Sequence, residues 1–196
     1  GVIIPWNLPF YLLSWKIAPA LAVGNCVIAK PSEITPMSGN LLAEVCIDIG
    51  LPAGVLNIVH GLGETVGQAL VAHPEISAIS FTGSTRVGHA ISIECAKSFK
   101  KVTLEMGGKN PAIIFEDAPQ NNLVANIARL SFQNSGQICL CGSRILVQSS
   151  IYSQFKKDFL QHAQTLVVGD PNNPSTRLGP VMSKIHFDKI LAYIDL

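Results

Sequence analysis

Short apolar runs alternate with longer segments of helical periodicity along the first half of the chain. The apolar runs predict strands at residues 2–6, 26–30, 55–59, 77–81 and 101–105. The periodic segments predict helices at residues 8–23, 37–49, 64–72 and 84–97. Near-continuous apolar strands that alternate with helices are typical of a parallel sheet covered on both faces. We therefore expect a doubly wound, Rossmann-like α/β domain over residues 1–106.

The pattern is interrupted at Gly107-Gly108, which we interpret as a hinge between two domains. Beyond it, strands are expected at residues 112–115 and 143–147 and helices at 120–133 and 151–167, followed by a surface loop at 171–174. Residues 107–196 are thus expected to begin a second α/β domain. The first residues resemble a buried strand and the last ones a helix, so we expect a fragment of a longer protein.

Composition and charge narrow the functional classes. Of 196 residues, 48% are hydrophobic and 14% are charged, with a formal net charge of +1, which gives no indication of a nucleic-acid partner. The apolar stretch at residues 17–29 is interrupted by Pro19 and Gly24, too soon for a membrane span, and no signal peptide is visible. We therefore expect a cytoplasmic protein without a membrane partner.

The five cysteines do not form a disulfide framework, because their number is odd and their spacing is wide. The Cys139-Leu140-Cys141 segment lacks the second pair and the histidine spacing of a zinc site. We expect Cys26, Cys46 and Cys95 to be small buried hydrophobic residues. This usage fits a reducing compartment.

Polar motifs follow predicted strands, at the sheet edge where ligands bind in open parallel sheets. Lys30 and Glu33 could bind the two hydroxyls of an adenosine ribose, or they could be a solvated pair at a turn. Ser84, between Gly83 and Gly88, could cap a helix or bind a phosphate. The glycine spacing there matches neither the common dinucleotide fingerprint nor a P-loop, so a plain strand-to-helix turn is an equally good interpretation.

Three further side chains have the chemistry for covalent work on a carbonyl group. The Asn7 amide, after the first strand, could donate to an oxyanion, although an isolated asparagine is usually a turn or cap residue. Glu105 ends a strand beside two glycines, and a carboxylate at such a corner is one of the parts that this chemistry needs. Cys139 follows a predicted helix in a glycine-containing loop, and it is either a nucleophile or a buried structural thiol. For Cys141 the structural interpretation is preferred.

In combination, these motifs resemble the NAD(P)-dependent aldehyde dehydrogenase superfamily along essentially the whole chain. The matching segments are 5–9 (oxyanion motif), 30–33 (adenosine-ribose motif), 81–88 (pyrophosphate-side turn), 104–109 (glutamate motif) and 136–139 (nucleophile motif). The surroundings of Cys139 are most similar to those in the 2-aminomuconic and hydroxymuconic semialdehyde dehydrogenases.

The resemblance implies an oxidoreductase that converts an aldehyde or semialdehyde to the carboxylic acid with NAD as cofactor. It implies that Cys139 attacks the aldehyde, that Asn7 and the Cys139 N–H hold the oxyanion, and that Glu105 activates water to hydrolyse a thioester. A glutamate suits this role because burial near the glycine-rich corner can raise its pKa, so we expect Glu105 to be buried. No metal is implied. The implied cofactor site consists of Ile4, Trp6, Lys30, Glu33, Gly63, Gly67, Phe81, Gly83, Ser84, Gly88, Met106 and Gly107.

The resemblance also implies a domain assignment, a partner and an assembly. Residues 1–106 would be part of the NAD-binding domain and residues 107–196 the N-terminal part of the catalytic domain. The partner would be a small-molecule aldehyde and the assembly a homo-oligomer, either dimer or tetramer. The helix residues Leu8, Tyr11, Leu12 and Trp15 would line one wall of the substrate tunnel, unless they pack in the core.

Some features of the family have no counterpart here, and rival functions are open. The family's downstream Glu-Ile-Phe-Gly-Pro segment is absent from the chain, so we expect residues 1–196 to be inactive alone. A relative that passes the thioester to coenzyme A is one alternative, against which Glu105 argues. A non-catalytic, crystallin-like protein is another, against which Asn7, Glu105 and Cys139 argue together. Glu33 favours NAD over NADP because a carboxylate repels a 2′-phosphate.

Overall fold

The computed structural model describes residues 1–196, which form two compact units, Gly1–Gly107 and Gly108–Leu196. The first unit consists of β1 (Val2–Ile3), α1 (Pro9–Ala22), β2 (Val27–Lys30), α2 (Met37–Asp48), β3 (Leu56–Ile58), α3 (Gln68–Ala72), β4 (Ala78–Gly83), α4 (Thr85–Ala96) and β5 (Lys101–Met106). The second unit consists of β6 (Asn110–Ile114), α5 (Leu123–Phe132), β7 (Gly142–Val147), α6 (Ser149–Ala163) and α7 (Lys184–Ile194).

The first unit is built on a five-stranded sheet in the order β3-β2-β1-β4-β5, in which every neighbouring pair is parallel. The chain runs outward from β1 to β3 and then continues at β4 on the other side of β1. The point at which the strand order reverses therefore lies between β1 and β4, and ligands bind at such a point in open α/β sheets. The expected α/β fold with a parallel sheet is confirmed.

The two faces of this sheet carry separate hydrophobic cores. On one face, α1 packs on β1 and β2. On the other face, α4 packs on β4 and β5 and against α3. The first core consists of Val2, Ile4, Leu13, Ile17, Val27 and Ala29, and the second of Val71, Ile79, Phe81, Ile91 and Cys95. Helix α1 begins at Pro9, which suits a first turn because its missing N–H has no partner there anyway.

The second unit has a two-stranded parallel sheet, β6-β7, with α5 and α6 packed against each other. The Phe159 ring of α6 links the two helices, since its centroid lies 6.0 Å from that of Phe132 in α5. It also stacks on Phe155 of its own helix, with the centroids 5.7 Å apart. After α6, an isolated parallel bridge joins Val168 to Leu178. Whether the two units are parts of a cofactor domain and a catalytic domain stays a prediction.

Several predicted boundaries were wrong. The helix expected at residues 64–72 opens as a π-helical turn, Gly63–Gly67, and only its second part is α3. The helix expected at 120–133 begins later, after Asn122 in a left-handed conformation, and ends one residue earlier, at Phe132. The helix expected at 151–167 is Ser149–Ala163.

The expectation of buried cysteines holds in part. Cys95 and Cys141 are buried, Cys46 is half-buried and Cys26 is exposed, so the expectation for Cys26 was wrong. Cys26 precedes the first residue of β2, just after the turn that ends α1, and its side chain is therefore outside the core. None of the helices combines the length and the apolar character that a membrane span requires.

Candidate active site

The carboxyl ends of four parallel strands bring together the predicted motifs of the first unit. Asn7 follows the end of β1, Lys30 ends β2, Gly83 ends β4, and Glu105 is the penultimate residue of β5. Because the strands are parallel, these positions share one edge of the sheet, with the reversal of strand order between β1 and β4.

Lys30 is a buried cation at this edge. Only 2% of the residue is exposed, whereas the Glu33 side chain is 45% exposed. The Lys30 Nζ donates to the Pro31 carbonyl over 3.0 Å and lies 3.3 Å from Glu33 Oε2. A Cβ added to the buried Gly67 would lie 3.7 Å from Lys30 Cδ, so the π-helical turn packs directly on this side chain. The interpretation of Lys30 as a solvated turn residue was therefore wrong.

Helix α4 begins at the same edge, where Ser84 is its N-cap residue. The Val87 N–H donates to Ser84 Oγ over 3.3 Å, so Ser84 caps the helix as expected. A Cβ on the buried Gly88 would lie 2.6 Å from Met106 Sδ, and glycine there lets α4 lie against the end of β5. The remaining N–H groups of the first turn favour an anion.

The other predicted cofactor residues differ in accessibility. Ile4 and Phe81 are core residues, 3% and 4% exposed, so their side chains pack in the two cores. Trp6 and Gly83 are half-buried, and Gly63, Met106 and Gly107 are exposed.

A row of polar side chains lies on the sheet face that α1 covers. Ser80 pairs with Thr103 and Thr82 with Glu105 across β4 and β5. From α1, Lys16 Nζ donates to Ser80 Oγ over 2.8 Å. Burial lowers the pKa of Lys16, and the nearby Glu105 carboxylate partly counters that effect. Lys16 and Glu105 are therefore electrostatically linked within this unit.

Glu105 is exposed, and the expectation of a buried carboxylate was wrong. The reason is the position of β5 at the edge of the sheet, where most of its residues are exposed. Its neighbour Thr82 is the opposite case, because it is 7% exposed and its Oγ1 has no hydrogen-bond partner. Such a buried hydroxyl costs about 1–3 kcal/mol. Sequence reasoning missed Thr82, although its place between Phe81 and Gly83 at a strand end was visible.

Cys139 lies in a strained loop of the second unit. Asn134 and Ser135, with φ values of 52° and 56°, are followed by Gly136 at 75°, so three consecutive residues are left-handed. The left-handed conformation costs roughly 1–2 kcal/mol for each non-glycine residue and persists only where surrounding contacts hold it. The Cys141 N–H then donates to the Ile138 carbonyl over 3.0 Å, which closes a turn around the half-buried Cys139.

The segment at residues 179–182 holds the first part of this loop. Ser135 Oγ donates to the Gly179 carbonyl over 2.7 Å, and the Met182 N–H donates to Gln137 Oε1 over 2.9 Å. Gln137 Nε2 also donates to the Asn134 carbonyl over 3.0 Å. These hydrogen bonds hold residues 134–137, the segment that leads to Cys139, in place.

Asn110, the first residue of β6, holds the second part of the loop. Its Nδ2 donates to the carbonyls of Cys139 and Cys141, the latter over 3.2 Å. Sequence reasoning missed this residue. The Cys141 thiol is buried and its Sγ lies 3.8 Å from the Gln133 carbonyl oxygen, so the expected burial is confirmed and the structural role stays a prediction.

The predicted tunnel residues of α1 separate into two groups. Leu12 packs against the first core. Tyr11 and Trp15 are 53% and 66% exposed, with ring centroids 5.2 Å apart, and form an aromatic surface.

The sequence profile described as the aldehyde dehydrogenase family matches residues 1–196. The chain belongs to this family. It is 52% identical to 2-aminomuconic semialdehyde dehydrogenase of Mus musculus over 99% of the chain and 40% of that protein. It is 45% identical to 2-hydroxymuconic semialdehyde dehydrogenase of Pseudomonas sp. (strain CF600) over 98% of the chain and 40% of that protein.

Solved structures of family members match the same extent. Betaine aldehyde dehydrogenase from Staphylococcus aureus, crystallised with NAD+, superposes with a TM-score of 0.95 at 40% identity, covering 99% of this chain and 39% of that one. The resemblance to semialdehyde dehydrogenases seen in the sequence is confirmed by the identities to the two curated relatives. The chain spans about 40% of the length of the curated relatives it matches.

Proposed function

We propose that the protein oxidises a semialdehyde to the carboxylic acid with NAD through a cysteine thioester. One observation carries the proposal. Asn7, Glu105 and Cys139 all occur in a chain that matches semialdehyde dehydrogenases over nearly its entire length. A purely structural protein would need none of the three.

The carboxyl edge of the first unit fits a dinucleotide. Lys30 and Glu33 would bind the adenosine ribose. The capped N-terminus of α4 and Ser84 would face the phosphates. Thr82 offers a buried hydroxyl with no partner in the chain. Bound NAD would accept a hydride from the carbon that carries the Cys139 sulfur.

Cys139 would form the covalent bond. Its thiolate attacks the aldehyde carbon, and the carbonyl oxygen becomes an oxyanion held by the Asn7 amide and the Cys139 N–H. A single donor of this kind contributes roughly 3–4 kcal/mol to transition-state stabilisation. The turn around Cys139 and the two Asn110 bonds pre-organise that N–H, which limits reorganisation during the reaction.

Glu105 would activate water in the second half of the reaction. Its carboxylate takes a proton as the water oxygen attacks the thioester carbon, the C–S bond breaks, and the acid and the Cys139 thiolate are released.

Rapid-mixing kinetics on the full-length protein test this proposal. With an aldehyde and NAD, wild type should give an NADH burst and Cys139→Ser none. Glu105→Gln should keep the burst and lose steady-state turnover, because only hydrolysis needs the base. A Cys139→Ser variant with a normal burst would contradict the covalent step, and an acyl-CoA product would favour the coenzyme A alternative.

We also propose a reducing, cytosolic location and a homo-oligomer, either dimer or tetramer. The five unpaired cysteines support the first proposal, and the family resemblance supports the second. Light scattering coupled to gel filtration of the full-length protein measures the assembly, and a monomer would contradict it.

A further inference from the structure

The second unit contains a cavity of about 390 Å³ that is lined by cationic and amide side chains. It lies between α5, the end of α6 and the segment around Arg177. We call it the basic cavity. Its polar lining residues are Arg129, Gln133, Asn134, His162, Thr165 and Arg177. No aspartate or glutamate lines it, so its charge is positive. A volume of this size is within the range of small-molecule sites.

Neither arginine of the basic cavity has a partner in the chain. The ion pairs of the structure join other residues, and no hydrogen bond uses the guanidinium of Arg129 or Arg177. Two unpaired guanidinium groups around one cavity are suited to a carboxylate, because their planar N–H forks match its two oxygens. Other arginines are engaged differently, since Arg144 Nη1 donates to the Lys109 carbonyl over 3.1 Å.

The basic cavity is next to the Cys139 loop along the chain. Asn134 lines the cavity, and the Gln137 N–H donates to its carbonyl over 3.1 Å, which closes a turn. The ends of such a turn lie within about 7 Å. The two residues from Gln137 to Cys139 add at most about 7 Å. The Cα atoms of Asn134 and Cys139 are therefore within roughly 14 Å, which a short dicarboxylate chain and an arginine side chain span together.

We propose that the basic cavity binds a carboxylate at the end of the aldehyde substrate remote from the reacting carbon, with Arg129 as its main donor. This inference rests on the proposed function and assigns the side chains that would recognise the remote carboxylate of a semialdehyde. The competing role for Arg129 is structural, because it lies in the last turn of α5, where a cation stabilises the helix dipole. A lysine there would keep that interaction and lose the fork.

Two aldehydes that differ only at the remote end test the proposal. 6-Oxohexanoate carries a carboxylate where hexanal has a methyl group. In the full-length protein, Arg129→Gln should raise KM for 6-oxohexanoate about ten-fold, the loss of one charge-assisted hydrogen bond, and leave hexanal unchanged. Arg177→Gln should act in the same direction, and Arg129→Lys should lie between wild type and Arg129→Gln. The matched control is Lys157→Gln, which removes an exposed cation of α6 outside the cavity and should affect neither substrate.

The outcomes separate this inference from the proposed function. Equal effects of Arg129→Gln on both aldehydes, or no effect on either, would overturn the basic cavity as a carboxylate site while leaving aldehyde oxidation intact. If wild type oxidises neither aldehyde, the proposed function fails. Calorimetric titration with adipate then still tests whether the basic cavity binds a carboxylate. An adipate affinity that Arg129→Gln lowers about ten-fold would support the site. Absent binding, or an affinity that Arg129→Gln leaves unchanged, would refute it.

Discussion

Replacement of Asn110 by alanine tests whether this residue positions the nucleophile. The substitution removes two hydrogen bonds from Nδ2, to the carbonyls of Cys139 and Cys141 on either side of the loop's exposed Leu140. The strained run before the loop would remain held by residues 179–182, so we expect local loosening of the turn around Cys139 rather than unfolding.

The magnitude follows from the two bonds. Each neutral hydrogen bond contributes about 0.5–1.5 kcal/mol, so Asn110→Ala should lower the free energy of unfolding by about 1–3 kcal/mol. The effect on rate should be larger, because a misplacement of about 1 Å at a reacting group can cost about 100-fold. We expect the NADH burst rate constant to fall about 10- to 100-fold, with NAD affinity unchanged because the cofactor residues lie in the first unit.

Rapid mixing on the full-length protein measures the burst, and fluorescence titration measures NAD affinity. The matched control is Asn57→Ala, because the Asn57 amide also donates to two backbone carbonyls, those of Gly54 over 2.9 Å and Val27 over 3.5 Å. Asn110→Asp should be slower than Asn110→Ala, since a carboxylate would face two carbonyl oxygens. An Asn110→Ala burst as fast as that of Asn57→Ala would refute the positioning role, and so would an Asn110→Asp burst faster than that of Asn110→Ala.

Three further predictions concern the first unit. Ser84→Ala removes the cap of α4 and should cost about 1 kcal/mol of unfolding free energy in urea titrations, whereas an unchanged midpoint would contradict the cap. Gly83→Ala places a Cβ against the buried Phe81 ring and should lower the unfolding free energy by about 1–3 kcal/mol in the same assay. An unchanged free energy would contradict this prediction and show that the Phe81 ring moves aside. Burial raises the pKa of the Cys95 thiol, so its stabilising contribution is complete below the unfolded-state pKa and declines as pH rises through the folded-state pKa. The stability difference between wild type and Cys95→Ala should therefore shrink at alkaline pH, and a constant difference would contradict the shift.

The sheet and helices of the first unit were predictable because the hydrophobic pattern of each segment matches its position in the folded unit. The strands β1 and β2 are almost entirely apolar, and Pro9 and Ser84 mark two helix starts. The end of the expected helix before Cys139 was harder to predict. The chain leaves α5 through the left-handed Asn134 and Ser135, residue types that carry no strong signal for consecutive left-handed conformations.

Burial of the site residues could not be predicted from local sequence. Lys30 is buried because Gly67, far along the chain, packs against it, and Glu105 is exposed because β5 is an edge strand. Asn110 was missed for a related reason. Its bonds to the Cys139 loop span 29 and 31 positions, and only tertiary structure identifies such partners.

The pairing of β4 with β5 has a consequence for how reliably Glu105 is positioned during folding. Six residue pairs, from Ala78 with Lys101 to Gly83 with Met106, fix the register. A slip of one residue would turn Glu105 toward the core that contains Ile91 and Cys95. An unpaired carboxylate is strongly disfavoured there. Burial of the Glu105 carboxylate would therefore destabilise the shifted register relative to the native one. The residue proposed to activate water thus also helps to specify the register of the strand that carries it.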